Sequence, residues 1–182
     1  MNAGPRVVVM GVSGSGKSTL ARALAQTLGW DAVDGDDLHL PASVAKMRAG
    51  VALNDGDRWP WLDRIGQTLA CATGGCVVAC SALRRAYRDR IRQFVPDVHF
   101  LFLEGDAPLI RQRMLARIDH YMPPELLDSQ LRTLERPGTD EPDVTPLPVT
   151  LGVPELVTQA IVALRRPAID AALASGIAPP TD

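Results

Sequence analysis

Gly11-Val-Ser-Gly-Ser-Gly-Lys-Ser18 is a complete G-x-x-x-x-G-K-[ST] pattern. Glycines at this spacing let successive backbone N–H groups turn inward, and a helix opening at the loop's end adds its positive pole, which makes a cradle for phosphate oxygens. Lys17 would reach the β- and γ-phosphates of ATP and the Ser18 hydroxyl would ligand Mg²⁺, because a transferring phosphoryl group needs charge neutralisation more than covalent help. Gly11, Val12, Ser13, Gly14, Ser15, Gly16, Lys17, Ser18 and Thr19 are therefore the candidate nucleotide contacts.

Three further clusters could serve an acceptor. Asp34-Gly-Asp-Asp-Leu-His39 places carboxylates after the short apolar pair Ala32-Val33. At the carboxyl end of a strand in an α/β sheet they would face the phosphate loop, although a solvated acidic turn has the same sequence. Leu40 to Leu62 carries Lys46 and Arg58 with Trp59 and Trp61. It reads as short helices with loops forming a capture flap, in which Arg58 could take a carboxylate in bidentate fashion and the tryptophans pack in the core. The arginine-rich stretch Ser81 to Arg92 reads as a helix capped by Ser81, with Arg84 and Arg88 divided between an anion site and a solvated face. Arg111, Arg113 and Arg117 lead into Ile118–Pro124, which fits either a lid closing over nucleotide or surface arginines followed by a loop.

The elements that must position these groups follow from periodicity. Val7–Met10 is a buried strand, and Leu20, Leu24 and Leu28 give Ser18–Leu28 a helical apolar face that Gly29 ends. Ile65–Ala72 is a helix stopped by Gly74-Gly75; Cys76–Cys80 and Val98–Leu103 are strands; Ala107–Arg117 and Glu125–Glu135 are helices. Asp143–Thr150 is a weak last strand, at an edge because its prolines cannot donate to a ladder, and Pro154 opens a final helix, Glu155–Arg166. Residues 167–182 read as a tail, helical at most through Leu173. The alternation predicts a three-layer α/β fold: a central parallel sheet flanked by helices, one domain over 1–182 with its core at about 6–166 and the candidate lid at about 111–135.

Composition sets the outer bounds. The 182 residues suit one domain, and 46% hydrophobic with 22% charged is ordinary for a soluble globular chain. Nineteen basic against twenty-one acidic residues offer no bulk charge for nucleic acid or an anionic membrane. Met1–Arg6 lacks the layout of a secretory signal, and no apolar run reaches membrane-spanning length, so a cytoplasmic setting is expected. Cys71, Cys76 and Cys80 are odd in number and lack C-x-x-C spacing, which favours buried thiols. A guanine-reading N-K-x-D is absent, and Val77–Ser81 ends without the carboxylate of a motor ATPase. Metal support then leans on Ser18 and Asp34, the pattern of a small kinase.

In Met10–Ser18, Asp34-Gly-Asp36 with His39 and Lys46-Met47, Leu53–Arg58 with Pro60-Trp-Leu62, Cys80-Ser-Ala-Leu83 with Tyr87-Arg-Asp89, and Ser129-Gln130 through Leu134-Glu135, the chain resembles the gluconokinase family, related to shikimate and nucleoside-monophosphate kinases. The likeness runs from about Val7 to Ile161. Val44, and Asp119-His-Tyr121 after the lid arginine, depart from the usual residues. The resemblance implies transfer of the ATP γ-phosphoryl group to the terminal hydroxyl of D-gluconate, with ATP and Mg²⁺ as cofactors and a homodimeric enzyme. It implies Lys17, Asp36 and Arg117 as catalytic, Arg113 and Arg117 as lid residues on the nucleotide, and Ser18 and Asp34 on the metal. Asp36, His39, Lys46, Arg58, Ser81, Arg88 and His120 are implied contacts of the acceptor, with Arg58 on its carboxylate. A kinase of another small polyhydroxy or carboxylic acid such as shikimate, or a nonenzymatic ATP-sensing regulator, are the alternatives.

Overall fold

The computed structural model describes residues 4–115 and 124–174, with side chains at 4–115 and 127–165. Strand β1 (Arg6–Met10) leads through the phosphate loop into helix α1 (Lys17–Leu28), and β2 (Asp31–Asp34) runs into a 3₁₀ turn at Gly35–Leu38. Then come α2 (Pro41–Arg48), α3 (Asp55–Cys71), β3 (Cys76–Ala79), α4 (Arg85–Phe94), β4 (His99–Glu104), α5 (Ala107–Leu115), α6 (Pro124–Thr133), β5 (Val144–Pro148) and α7 (Val153–Ala174). The strands form one parallel sheet in the order β2-β3-β1-β4-β5. The expected three-layer architecture is present, with the proline-bearing β5 at an edge as its composition requires.

β1 reads as an unbroken apolar run because both of its faces are covered. Its side chains alternate between two cores. Val7 and Val9 join Leu20, Leu24, Leu101, Leu147, Leu156 and Ala160 under α1 and α7, whereas Val8 and Met10 join Leu62, Ile65, Leu69, Ile91 and Phe100 under α3 and α4. A smaller cluster of Val12, Leu83, Ile110 and Leu127 fastens the phosphate loop to α5, α6 and the β3–α4 loop.

Two local expectations are corrected. A single seventeen-residue helix, α3, begins at Asp55, far ahead of Ile65, because Asn54 and Asp57 form a reciprocal capping box there. Ser81 is not a helix cap. Residues 81–84 form a loop with Ala82 at φ 41°, and α4 starts only at Arg85. The cap comes from far along the chain: the Glu135 carboxylate accepts the Arg85 N–H at 2.7 Å, while the Glu135 N–H bonds the Leu83 carbonyl at 2.8 Å.

Arg88 is also neither a site residue nor a surface residue. It is wholly buried, donating from Nε and Nη2 to the two oxygens of Glu141 at 2.7 and 2.6 Å and from Nη1 to the Ala82 and Leu83 carbonyls. Its guanidinium is spent on holding α4 and the β3–α4 loop, so the expected acceptor contact gives way to a structural ion pair. Arg92 adds a second donor to Glu141 at 2.8 Å. Burial pushes the Glu141 carboxyl up, but the hydrogen bonds from Arg88 and Arg92 outweigh it and hold the pKa at about 2. Glu141→Gln leaves Arg88 buried without its counter-charge and is expected to cost about 3–5 kcal/mol in chemical denaturation; an unchanged unfolding midpoint would contradict this. Because the folded pKa lies below the unfolded value of roughly 4.3, the pair's stabilisation is complete above that value and lost as pH falls from there through 2.

Candidate active site

The phosphate loop depends on glycine for its backbone. Gly14 and Gly16 lie at φ 80° and 100°, where other residues are strained, and a Cβ on Gly14 would stand 2.3 Å from Met114 Cγ. Lys17 opens α1, and its Nζ donates to the Val12 carbonyl at 3.0 Å, lying across the loop. Ser18 and Thr19 follow in the first helical turn, where backbone N–H groups have no partner inside the helix. The Ser15 hydroxyl is buried and has no hydrogen-bond partner among the described residues. These features suit a polyphosphate.

Ser13 differs from its neighbours. Its N–H donates to Gln130 Oε1 of α6 at 2.6 Å, so the loop's leading edge is tied to α6. Gln130 falls within a segment of the family resemblance that by itself carries no role; only a partner 117 residues away reveals one. Gln130→Ala orphans that donor and is expected to raise the KM for ATP several-fold, up to roughly tenfold, as steady-state kinetics would measure. An unchanged value would mean that the loop holds itself.

The acidic turn is built by contacts from two sides. Asp34 ends β2, pairs with Ala79 in register, and accepts the Asp36 N–H at 3.2 Å, with Arg22 3.9 Å from its carboxylate. Gly35 comes so close to the strand that a Cβ would stand 2.4 Å from the Ala79 carbonyl. Trp61 packs in the core as expected, and it also donates from Nε1 to the Gly35 carbonyl at 2.6 Å and stacks on His39 with ring centroids 4.3 Å apart. The turn carrying Asp36 is thus braced from α3.

Electrostatic influence links the phosphate loop, the acidic turn and α3. The Cys80 thiol, at the end of β3, is pushed up to about 12 by burial while feeling the charges of both Lys17 and Asp36. Burial lowers the His39 pKa, and the charges of Asp36, raising it, and Arg58, lowering it, act there as well. Its Nδ1 is buried and without a hydrogen-bond partner among the described residues. Lys17 follows β1, and Asp36 and His39 follow β2, at the carboxyl ends of parallel strands, and Trp61 stacked on His39 brings α3, the helix that carries Arg58, to the same turn. Arg58 donates to the Tyr87 hydroxyl at 3.2 Å and approaches Asp55 at 3.8 Å. Lys46 is bound to Asp57 at 2.6 Å, the hydrogen bond that holds the Asp57 carboxyl below its usual range. Ser81 meets the loop through its carbonyl, which accepts the Gly11 N–H at 3.3 Å.

In α5, Arg113 donates to the Val149 carbonyl at 2.6 Å and Arg111 pairs with Asp128 of α6 at 2.7 Å. Arg117 and His120 lie outside the described residues. Among the described residues, no group of three or more His, Cys, Asp or Glu side chains is arranged to hold a metal ion. Ser18 and Asp34 offer hard oxygen donors, which fit an Mg²⁺ held mainly by substrate phosphates and by one or two protein oxygens.

The chain is 41% identical to the thermosensitive gluconokinase of Escherichia coli strain K12 over 170 residues, covering 90% of this chain and 91% of the relative. The chain belongs to the gluconokinase family. A gluconokinase of Gluconobacter oxydans strain 621H is 46% identical over 75% of this chain and 78% of its own length. The crystal structure of a gluconokinase from Sinorhizobium meliloti 1021 superposes with a TM-score of 0.86 at 41% identity, covering 96% of this chain and 99% of that one. Residues 7–137 also match the family described as AAA domain, which begins on β1 and takes in the gluconokinase phosphate loop and acidic turn. No helix among the described residues is long and apolar enough to cross a membrane.

Proposed function

We propose that this chain is an ATP-dependent gluconokinase, transferring the γ-phosphoryl group of ATP to the terminal hydroxyl of D-gluconate and releasing ADP and 6-phosphogluconate. The observation that carries the reading is 41% identity to a gluconokinase across nine-tenths of both chains, with a glycine-built phosphate loop after β1, and with Asp36 and His39 in the turn after β2 that the helix of Arg58 braces.

In this reading the backbone N–H groups from Gly14 to Thr19 hold the phosphates, and Lys17 turns from the Val12 carbonyl toward the transferring group. Asp36 accepts the proton of the acceptor hydroxyl, or orients that hydroxyl for attack. Arg58 receives the carboxylate. His39, neutral at ordinary pH because burial lowers its pKa, offers a ring nitrogen to an acceptor hydroxyl. Ser81 borders the acceptor, and Lys46 reaches it on leaving Asp57. Ser18 and Asp34 would hold Mg²⁺, which when bound neutralises charge on the phosphate oxygens. Arg113 and Arg117 would close over the nucleotide in a lid spanning about 111–135, excluding water that could otherwise take the phosphoryl group. His120 is an acceptor contact in this reading. The enzyme is a single domain, homodimeric and cytoplasmic, and sedimentation at graded concentrations tests the dimer.

The test is a coupled ADP-release assay across a panel of sugar acids and shikimate with saturating ATP. Gluconate is expected to show the highest kcat/KM. A larger value for shikimate or another acid would reassign the acceptor, and ATP binding without acceptor-dependent turnover would favour a regulator.

A further inference from the structure

Arg84 stands in the β3–α4 loop, in extended conformation just ahead of α4, and its side chain converges with that of Arg58 from α3. The two guanidinium carbons lie 5.8 and 5.7 Å from the centre of the Tyr87 ring, within cation–π range. Both also address the same carboxylate: Asp55 is 2.8 Å from Arg84 Nη1 and 3.8 Å from Arg58 Nη1, and it accepts the Tyr87 hydroxyl at 2.6 Å. Two cations share one anion there, leaving a surplus positive charge. The neighbouring Lys46–Asp57 pair neutralises itself and does not cancel it.

Donor capacity remains as well as charge. Among the described residues, Arg84 hydrogen-bonds only through Nη1 to Asp55 and Arg58 only through Nη1 to the Tyr87 hydroxyl. Nε and Nη2 of each are left for an incoming oxyanion, in the planar fork that suits a carboxylate. The side chains are 39% and 26% exposed, so a ligand has access. Arg58 joins this cluster to the reacting side, because Trp61, three residues further along α3, stacks on His39 and donates to the Gly35 carbonyl of the turn that carries Asp36.

We propose that Arg84 determines acceptor specificity, forming with Arg58 a two-guanidinium clamp for the carboxylate of a polyhydroxy acid while Asp55 and Tyr87 hold both arginines in place. The clamp rests on the acceptor reading above and adds to it a second arm. A hydroxyl bound at Asp36 and a carboxylate bound between Arg58 and Arg84 would fix an open-chain acid at both ends.

The experiment compares saturation kinetics of wild type, Arg84→Gln and Arg84→Lys with gluconate and with gluconamide, in which an uncharged amide replaces the carboxylate. Losing a hydrogen bond to a charged group raises the gluconate KM of Arg84→Gln by roughly 10- to 100-fold. The KM for ATP does not move, Arg84→Lys recovers part of the loss, and the wild-type preference for gluconate over gluconamide collapses. An unchanged gluconate KM in Arg84→Gln, or an equal penalty on gluconate and gluconamide, would overturn the clamp and leave Arg84 a structural partner of Asp55. Wild-type protein with no gluconate-dependent turnover would overturn the acceptor reading itself, a failure seen before any variant is compared.

Discussion

Asp36→Asn is expected to bind ATP as the wild type does and to lose gluconate-dependent ADP release by about 10²- to 10⁴-fold, the usual contribution of a positioned general base. The substitution keeps the shape of the side chain and removes its ability to accept a proton. The turn itself should survive, because what shapes it is the Asp34 carboxylate on the Asp36 N–H, the close approach of Gly35 to Ala79 and the Trp61 hydrogen bond to the Gly35 carbonyl, none of which uses the Asp36 side chain. ATP affinity measured by calorimetry and turnover measured by coupled assay therefore separate. Turnover equal to wild type would remove Asp36 from the mechanism, and lost ATP binding would mean that the substitution disturbs the loop.

Lys17→Ala is expected to show the complementary defect, with turnover lowered by about 10²- to 10³-fold through loss of one preorganised charge at the developing transition state. Gluconate affinity should change little, since Arg58 on α3 and His39 after β2 stand outside the phosphate loop. ATP affinity should weaken as well, because the Lys17 ammonium lies across the phosphate loop on the Val12 carbonyl. A variant with wild-type kcat would contradict the placing of Lys17 on the transferring group. Taken together, the two substitutions separate donor from acceptor: one damages transfer while sparing ATP binding, the other damages ATP handling while sparing gluconate.

The parts of the fold that were legible in the sequence are those whose determinants are local. The apolar run of β1, the glycine loop and the leucine spacing of α1 sit within one short segment, and each encodes its own conformation. The edge position of β5 follows from Pro146 and Pro148 in the same way. What was hidden depends on distant partners. Ser81 looks like a cap, but Glu135 does that work from 50 residues away. Arg88 looks like one arginine of a solvated basic helix, and only the carboxylate of Glu141, 53 residues on, explains its burial. The early start of α3 was in principle readable from Asn54 and Asp57, but Gly56 and Pro60 in the next turns obscured it. The site divides along the same line. Lys17 stands in a motif whose chemistry follows from residue type and spacing, and Asp36 in an acidic turn that only the family resemblance tied to the acceptor, whereas the roles argued for Gln130 and Arg84 arise only because the fold brings Gln130 to Ser13 and sets Arg84 and Arg58 around Tyr87.

Phosphorus NMR of wild-type protein incubated with ATP, Mg²⁺ and D-gluconate tests the assigned reaction most directly, because it reads both products at once. The predicted spectrum shows ADP and a phosphate monoester on the terminal carbon of gluconate accumulating in equal amounts, with neither formed when gluconate is omitted. ATP left intact in the presence of gluconate, or ADP appearing with inorganic phosphate and no sugar-acid ester, would contradict it.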